Sequence, residues 1–65
     1  MDEKYVAVRD FQIGEKTMPA GTEIMLFRGA AYMNGYRLTP GYYAECEALV
    51  KTDSFVKVKT VQNKV

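Results

Sequence analysis

The stretch AYMNGYRL at positions 31–38 carries the strongest short-range fold signal in this chain. Its central Asn-Gly pair, at 34–35, lies between apolar and aromatic residues. This pattern is typical of a β-hairpin with a two-residue turn, because both turn positions require a positive φ that asparagine and glycine tolerate. The sequence therefore predicts strands over 31–33 and 36–38, joined by a tight turn.

Two further strands are predicted before this hairpin. Residues 4–10 alternate between two faces, as a half-buried strand does. Residues 22–28 are also strand-like, but apolar side chains occupy both faces. Either this strand is central and covered on both sides, or one of its faces is a contact surface. Between the two strands, glycine and proline predict two turns joined by a short extended piece at 16–18.

A helix is predicted after the hairpin, over residues 40–51. Thr39 is suited to cap the free backbone N–H groups, and Pro40 is suited to the first helical position because no hydrogen bond is lost there. The helix has a one-sided apolar stripe. This stripe consists of Tyr42, Tyr43, Cys46, Leu49 and Val50.

The last predicted strand covers residues 55–60. Its alternation places Val56 and Val58 inward, and Lys57 and Lys59 outward. We expect this strand to return beside the first strand, 4–10. Antiparallel pairing of the last strand with the first then completes the sheet.

These elements predict a single α+β domain, mainly β, over residues 1–65. About five short antiparallel strands, with one helix before the last strand, favour a small SH3-like half-open barrel whose helix covers one open end. A chain of 65 residues has room for one small core.

Composition excludes several functional classes. The chain contains no histidine and one cysteine, so we expect neither a transition-metal site nor a paired-thiolate zinc site. Cys46 lies on the apolar stripe of the helix, where a core role is expected. The glycines are too widely spaced for a phosphate-binding loop. We therefore predict a protein that is not an enzyme and uses no cofactor.

The expected location is the cytoplasm. A small domain with a lone cysteine is more typical of a reducing compartment than of secretion. No apolar run approaches the roughly 20 residues that cross a bilayer. We therefore expect no membrane partner.

A candidate partner-binding surface combines the second strand with the hairpin. Tyrosine and arginine are enriched at the energetic centres of protein interfaces. In the predicted hairpin, Tyr32 and Arg37 share one face while Met33 and Tyr36 share the other. The predicted contact residues are Met25, Phe27, Arg28, Tyr32, Tyr36 and Arg37.

Three interpretations of these aromatic residues remain open. They bind a protein partner, they stack unpaired nucleic-acid bases, or they fill the core. The nucleic-acid interpretation uses Tyr32, Tyr36, Arg28, Arg37, Lys57 and Lys59. The formal net charge of +1 favours a protein partner over nucleic acid. A self-paired dimer through an exposed strand edge is a related alternative.

The segments MPAGTEI (18–24), YMNG (32–35) and LTPGYY (38–43) resemble small uncharacterised accessory proteins of tailed bacteriophages. This resemblance spans about residues 5–58 and rests on turn motifs. It implies an accessory protein that acts in the infected bacterial cytoplasm. Such a protein binds a host bacterial protein and modulates or inhibits it. A structural role, such as a virion component, is a further alternative.

Overall fold

The computed structural model describes residues 3–58, and this part of the chain is mainly β. It contains seven strands, a 3-10 turn and one short helix. The strands are β1 (Glu3–Ala7), β2 (Phe11–Ile13), β3 (Lys16–Met18), β4 (Glu23–Phe27), β5 (Ala30–Met33), β6 (Tyr36–Arg37) and β7 (Phe55–Val58). The 3-10 turn covers Pro40–Tyr42 and the helix α1 covers Tyr43–Leu49.

Five strands form one antiparallel sheet in the order β6-β5-β4-β1-β7, and β2 pairs with β3 in a separate two-stranded sheet. The last strand lies beside the first, with Ala7 opposite Phe55, which confirms the predicted return. The extended piece predicted at 16–18 is β3. Strands β4, β5 and β6 follow one another as a meander, because two-residue turns join them.

The Asn-Gly turn has the geometry that its sequence predicts. Asn34 and Gly35 have φ values of 51° and 87°, and Met33 lies opposite Tyr36 in the ladder. The turn before it has the same character, since Arg28 and Gly29 have φ values of 52° and 76°. Positive φ at both central positions is the mark of a type I′ turn, whose twist matches that of the strands.

Asn34 also fixes the hairpin against β4. Its side-chain Oδ1 accepts a hydrogen bond of 2.9 Å from the backbone N–H of Glu23, and its own N–H donates to the Glu23 carbonyl at 2.9 Å. The turn residue therefore contacts the first residue of a neighbouring strand. Backbone conformation and register are fixed at the same position.

The helical segment is shorter than predicted and begins differently. A 3-10 turn over Pro40–Tyr42 precedes α1, in which the Tyr42 N–H donates to the Thr39 carbonyl at 2.9 Å. The Thr39 side chain makes no capping hydrogen bond, so the predicted cap is wrong. Proline at the start is confirmed. Cys46 and Val50 are buried on the predicted apolar stripe.

The core lies between the five-stranded sheet, the β2–β3 hairpin and α1. Its most buried side chains, Ile24 and Cys46, are 0 % exposed. The rings of Phe11 and Phe55 meet edge to face at 4.8 Å, which ties the hairpin to β7. The buried apolar residues are Ala7, Phe11, Ile13, Ile24, Leu26, Ala31, Met33, Cys46, Val50 and Phe55.

The predicted inward orientation of Val56 and Val58 is wrong, because both lie on the face opposite to that of Phe55. Val56 is 49 % exposed, whereas its neighbour Phe55 is buried. Because side chains alternate along a strand, only one of the two can face the core, and the larger ring of Phe55 fills it together with Phe11. The predicted outward orientation of Lys57 is wrong as well, because Lys57 lies on the same side of the sheet as Phe55, although it is exposed at the sheet edge near Glu3. Lys59 lies outside the described residues.

The β2–β3 hairpin is attached to the helix at Gly14. The Gly14 N–H donates to Glu45 Oε2 at 2.8 Å, and the Tyr42 ring packs against the glycine. Gly14 has a φ of 59°, and a Cβ there would lie 3.1 Å from the Tyr42 hydroxyl oxygen. The positive φ therefore favours glycine here, and a Cβ would in addition have to displace the Tyr42 ring by a few tenths of an ångström.

We predict that Gly14→Ala lowers the free energy of unfolding by about 1–2 kcal/mol, because a residue with a Cβ is strained at this φ. Urea unfolding followed by circular dichroism measures the change. Gly21→Ala is the matched control, since a Cβ at Gly21, also at positive φ, has no neighbour within 4 Å. If both variants lose the same free energy of unfolding, the close approach of Tyr42 to Gly14 contributes nothing to the cost of Gly14→Ala.

Asn34 permits a separation of backbone and side-chain effects. Asn34→Gly keeps the positive φ but removes the side-chain hydrogen bond to the Glu23 N–H. We therefore expect the free energy of unfolding to fall by about 1 kcal/mol. Asn34→Ala also strains the turn and should lose about 1 kcal/mol more. Urea unfolding of the two variants side by side tests this order. A glycine variant as unstable as the alanine variant would contradict it.

Candidate functional site

One face of the five-stranded sheet points away from the core and nevertheless carries several apolar side chains. In β4, Ile24 and Leu26 are buried, so Met25 and Phe27 point to the opposite face and are half-buried. The ladder extends this face across the sheet, because Met25 lies opposite Tyr32. We call it the outer face. Its apolar residues are Val6, Met25, Phe27, Tyr32, Val56 and Val58.

One ion pair lies within the outer face. Lys4 Nζ is 3.2 Å from Glu23 Oε1, and both side chains remain more than two fifths exposed. An exposed pair of this kind contributes little to stability. It does neutralise the centre of the face, so that the apolar residues around it are not separated by an unpaired charge.

Two arginines border the outer face, Arg28 in the turn between β4 and β5 and Arg37 on the edge strand β6. The Arg28 guanidinium lies 5.2 Å from the centre of the Phe27 ring, at a distance typical of a cation–π contact. Arg37 lies opposite Tyr32 in the ladder. Within residues 3–58, the cations that form ion pairs are Lys4, Arg9 and Lys57. Arg28 and Arg37 are therefore exposed cations without a carboxylate partner in the described chain.

The structure brings five of the six predicted contact residues together and separates one. Met25, Phe27, Tyr32 and Arg37 share the outer face, and Arg28 lies at its end. Tyr36 is 78 % exposed but lies opposite Met33, on the core side of the sheet. A flat partner on the outer face does not reach Tyr36.

The residues considered for nucleic-acid binding are likewise divided. Tyr32 and Arg37 are opposite each other in the ladder and Arg28 lies in the turn after Phe27, whereas Lys57 is opposite Tyr5 on the core side of the sheet. Lys59 falls outside the described residues. The basic and aromatic groups that share one surface are therefore fewer than the sequence suggested.

A second surface was not predicted from the sequence. A groove of about 890 Å³ lies between the β2–β3 hairpin, β5 and the 3-10 turn. Its residues come from four separate parts of the chain, so no local sequence pattern predicts the groove. They are Ile13, Gly14, Glu15, Lys16, Met18, Met33, Leu38, Tyr42 and Glu45.

Cys46 is a core residue, as expected. Burial raises the pKa of its thiol above the ordinary value, and the neighbouring Glu45 carboxylate adds to the effect. A protonated, enclosed thiol is a poor nucleophile. Within residues 3–58, no group of three or more acidic or cysteine side chains is placed to hold a metal ion, and no helix is long and apolar enough to cross a membrane.

Comparison with known proteins adds no relative to these observations. No family model matches the chain, and neither a curated protein nor a solved structure is significantly similar to it. The functional argument therefore rests on the surface geometry of the chain itself.

We predict that Cys46 reacts with iodoacetamide much more slowly in the folded chain than in urea, because only an exposed thiolate reacts quickly. The raised pKa also means that the folded state favours the protonated thiol. Stability should therefore be full below the ordinary cysteine pKa of about 8.5 and decline as the pH rises above it.

Mass spectrometry of the alkylated chain measures the labelling rate, with N-acetylcysteine as the reference thiol. Urea unfolding at neutral and alkaline pH measures the stability. Equal labelling rates with and without urea would contradict a buried thiol.

Proposed function

We propose that this protein is a non-enzymatic protein-binding module whose contact surface is the outer face. The observation that carries the proposal is the set of apolar side chains that four neighbouring strands, β7, β1, β4 and β5, place on one face around the Lys4–Glu23 ion pair. Contiguous apolar patches on small proteins commonly mark interaction sites, because their exposure is otherwise unfavourable.

The composition of the outer face supports a protein partner. Met25, Phe27 and Tyr32 belong to the residue types enriched at interfaces, and arginine is enriched with them. Arg28 in the β4–β5 turn and Arg37 on the edge strand β6 supply positive charge at the border of the face. We therefore propose that the partner surface combines an apolar centre with carboxylates that meet these two arginines.

We propose the half-open SH3-like barrel as the description of the architecture. Its support is the connectivity: a three-stranded meander over β4–β6, a helical segment before the last strand, and a last strand beside the first. The β2–β3 hairpin then forms a long excursion between the first two strands of the sheet.

We further propose that the partner is a host bacterial protein, which this chain modulates or inhibits in the cytoplasm of an infected cell. This step rests on the resemblance of residues 18–24, 32–35 and 38–43 to phage accessory proteins. A fold alone does not fix a function. The partner therefore has to be identified by capturing it from a lysate, because the architecture does not identify it.

A second candidate function is the binding of single-stranded nucleic acid. One observation favours it: Tyr32 lies beside the unpaired Arg37 on the outer face, and an aromatic ring next to a cation suits an unstacked base. Such binding weakens steeply as salt increases. Apolar burial against a protein depends on salt far less, so the two functions are separable.

The proposed function is tested by capture from bacterial lysate on the immobilised chain, with and without nuclease, followed by affinity measurements on the recovered partner. We expect a protein that survives nuclease. Phe27→Ala and Tyr32→Ala should each weaken its binding by about 1 kcal/mol or more. Titration calorimetry at low and high salt provides the affinities.

Tyr36→Ala is the matched control, since it removes an exposed aromatic ring from the other side of the sheet. A flat contact on the outer face leaves its affinity unchanged, while a loss in this variant shows a contact that also includes the hairpin. Unchanged binding in both outer-face variants would contradict the proposed surface.

A further inference from the structure

The groove between the β2–β3 hairpin and the 3-10 turn has the size of a ligand site. Its volume of about 890 Å³ lies within the range of about 300–1,000 Å³ that is usual for such sites. It exists because the hairpin forms its own two-stranded sheet and does not continue the five-stranded one. The ring of Phe11 in the hairpin packs against Phe55 in the five-stranded sheet and so joins the two sheets. The groove is the space that remains between the hairpin and the rest of the chain.

The floor of the groove is apolar. Ile13, Met18, Met33 and Leu38 line it, and Met18 and Leu38 are half-buried. Methionine side chains are flexible and polarizable, and they adapt to apolar groups of different shapes. A floor of this kind favours a ligand with small or medium apolar side chains over one with a single rigid shape.

The rim of the groove carries two carboxylates. Glu15 is in the hairpin turn and Glu45 is on the helix, and both line the groove. In the described residues 3–58, the carboxylates that form ion pairs are Glu3, Glu23 and Asp53. Lys16 also lines the groove, but it is not within ion-pair distance of either glutamate.

Glu45 is held in place for binding. Its Oε2 accepts the Gly14 N–H at 2.8 Å, which fixes the carboxylate at the groove and leaves its other oxygen available. A fixed carboxylate loses little side-chain entropy when it meets a cation. The Tyr42 ring beside it limits the groove on the same side.

We propose that this groove binds an extended peptide segment of a partner protein, in which a lysine or arginine side chain lies next to apolar ones. The apolar side chains pack on the methionine and leucine floor, and the basic group meets the carboxylates of Glu15 and Glu45. This site is separate from the outer face, where the unpaired charges are arginines. It therefore does not depend on the proposed function.

Selection of random-sequence peptides on the full chain tests the proposal, followed by titration of the selected peptide into protein labelled with 13C at the methionine methyl groups. Met18 and Met33 line the groove, whereas Met25 lies on the outer face. Substitution of each methionine by leucine assigns the resonances. We expect peptides with a basic residue beside apolar ones, and shifts at Met18 and Met33 but not at Met25.

Charge variants provide the second readout. Glu15→Gln and Glu45→Gln keep the side-chain shape, and the glutamine at 45 retains an oxygen that accepts the Gly14 N–H. Together they should weaken binding of the basic peptide about tenfold, since each exposed ion pair contributes only modestly to affinity. Glu47→Gln is the control, because Glu47 is an exposed helix carboxylate outside the groove.

Four results would overturn the proposal: no selected binder, binders without a basic residue, shifts confined to Met25, or equal affinity in the charge variants and the control. Removal of residues 59–65 adds a further test. If the Met18 and Met33 resonances move on this truncation in the absence of peptide, the groove is occupied by the chain's own C-terminal segment and not by a partner.

Discussion

The arrangement of this protein depends on the register that its two-residue turns impose. Phe27 pairs with Ala30 and Met33 pairs with Tyr36, so each turn fixes the ladder that follows it. A shift of one residue moves every side chain of a strand to the other face. The core and the outer face are therefore determined together, by backbone conformations that only a few residues adopt at low cost.

The sequence was sufficient where the information is local. The Asn-Gly turn at 34–35 is confirmed because positive φ is a property of those two residues and not of their surroundings. The alternation along β7 correctly placed Val56 and Phe55 on opposite sides, but the prediction that Val56 meets the core was wrong. The core selects Phe55 through its contact with Phe11, which is far away in the chain.

The candidate surfaces illustrate the same division between local and distant information. Part of the outer face follows from alternation along β4 and from the pairing of Met25 with Tyr32, so Met25, Phe27 and Tyr32 were predicted, whereas Val56 and Val58 had been assigned to the core. The groove requires the helix carboxylate of Glu45 to meet the turn at Gly14, 31 residues earlier. No periodicity links these positions, and only the packing of the hairpin brings them together.

The two surfaces are the two sides of one strand. Tyr32 and Met33 are consecutive in β5, yet the first lies on the outer face and the second lines the groove. Their charged surroundings differ, with Arg28 and Arg37 beside the outer face and with Glu15, Glu45 and Lys16 at the groove. Because like charges at an interface are costly, the partners proposed for the two surfaces differ in charge. A small domain with a single core thereby presents two contact chemistries, because every strand of its sheet has two faces.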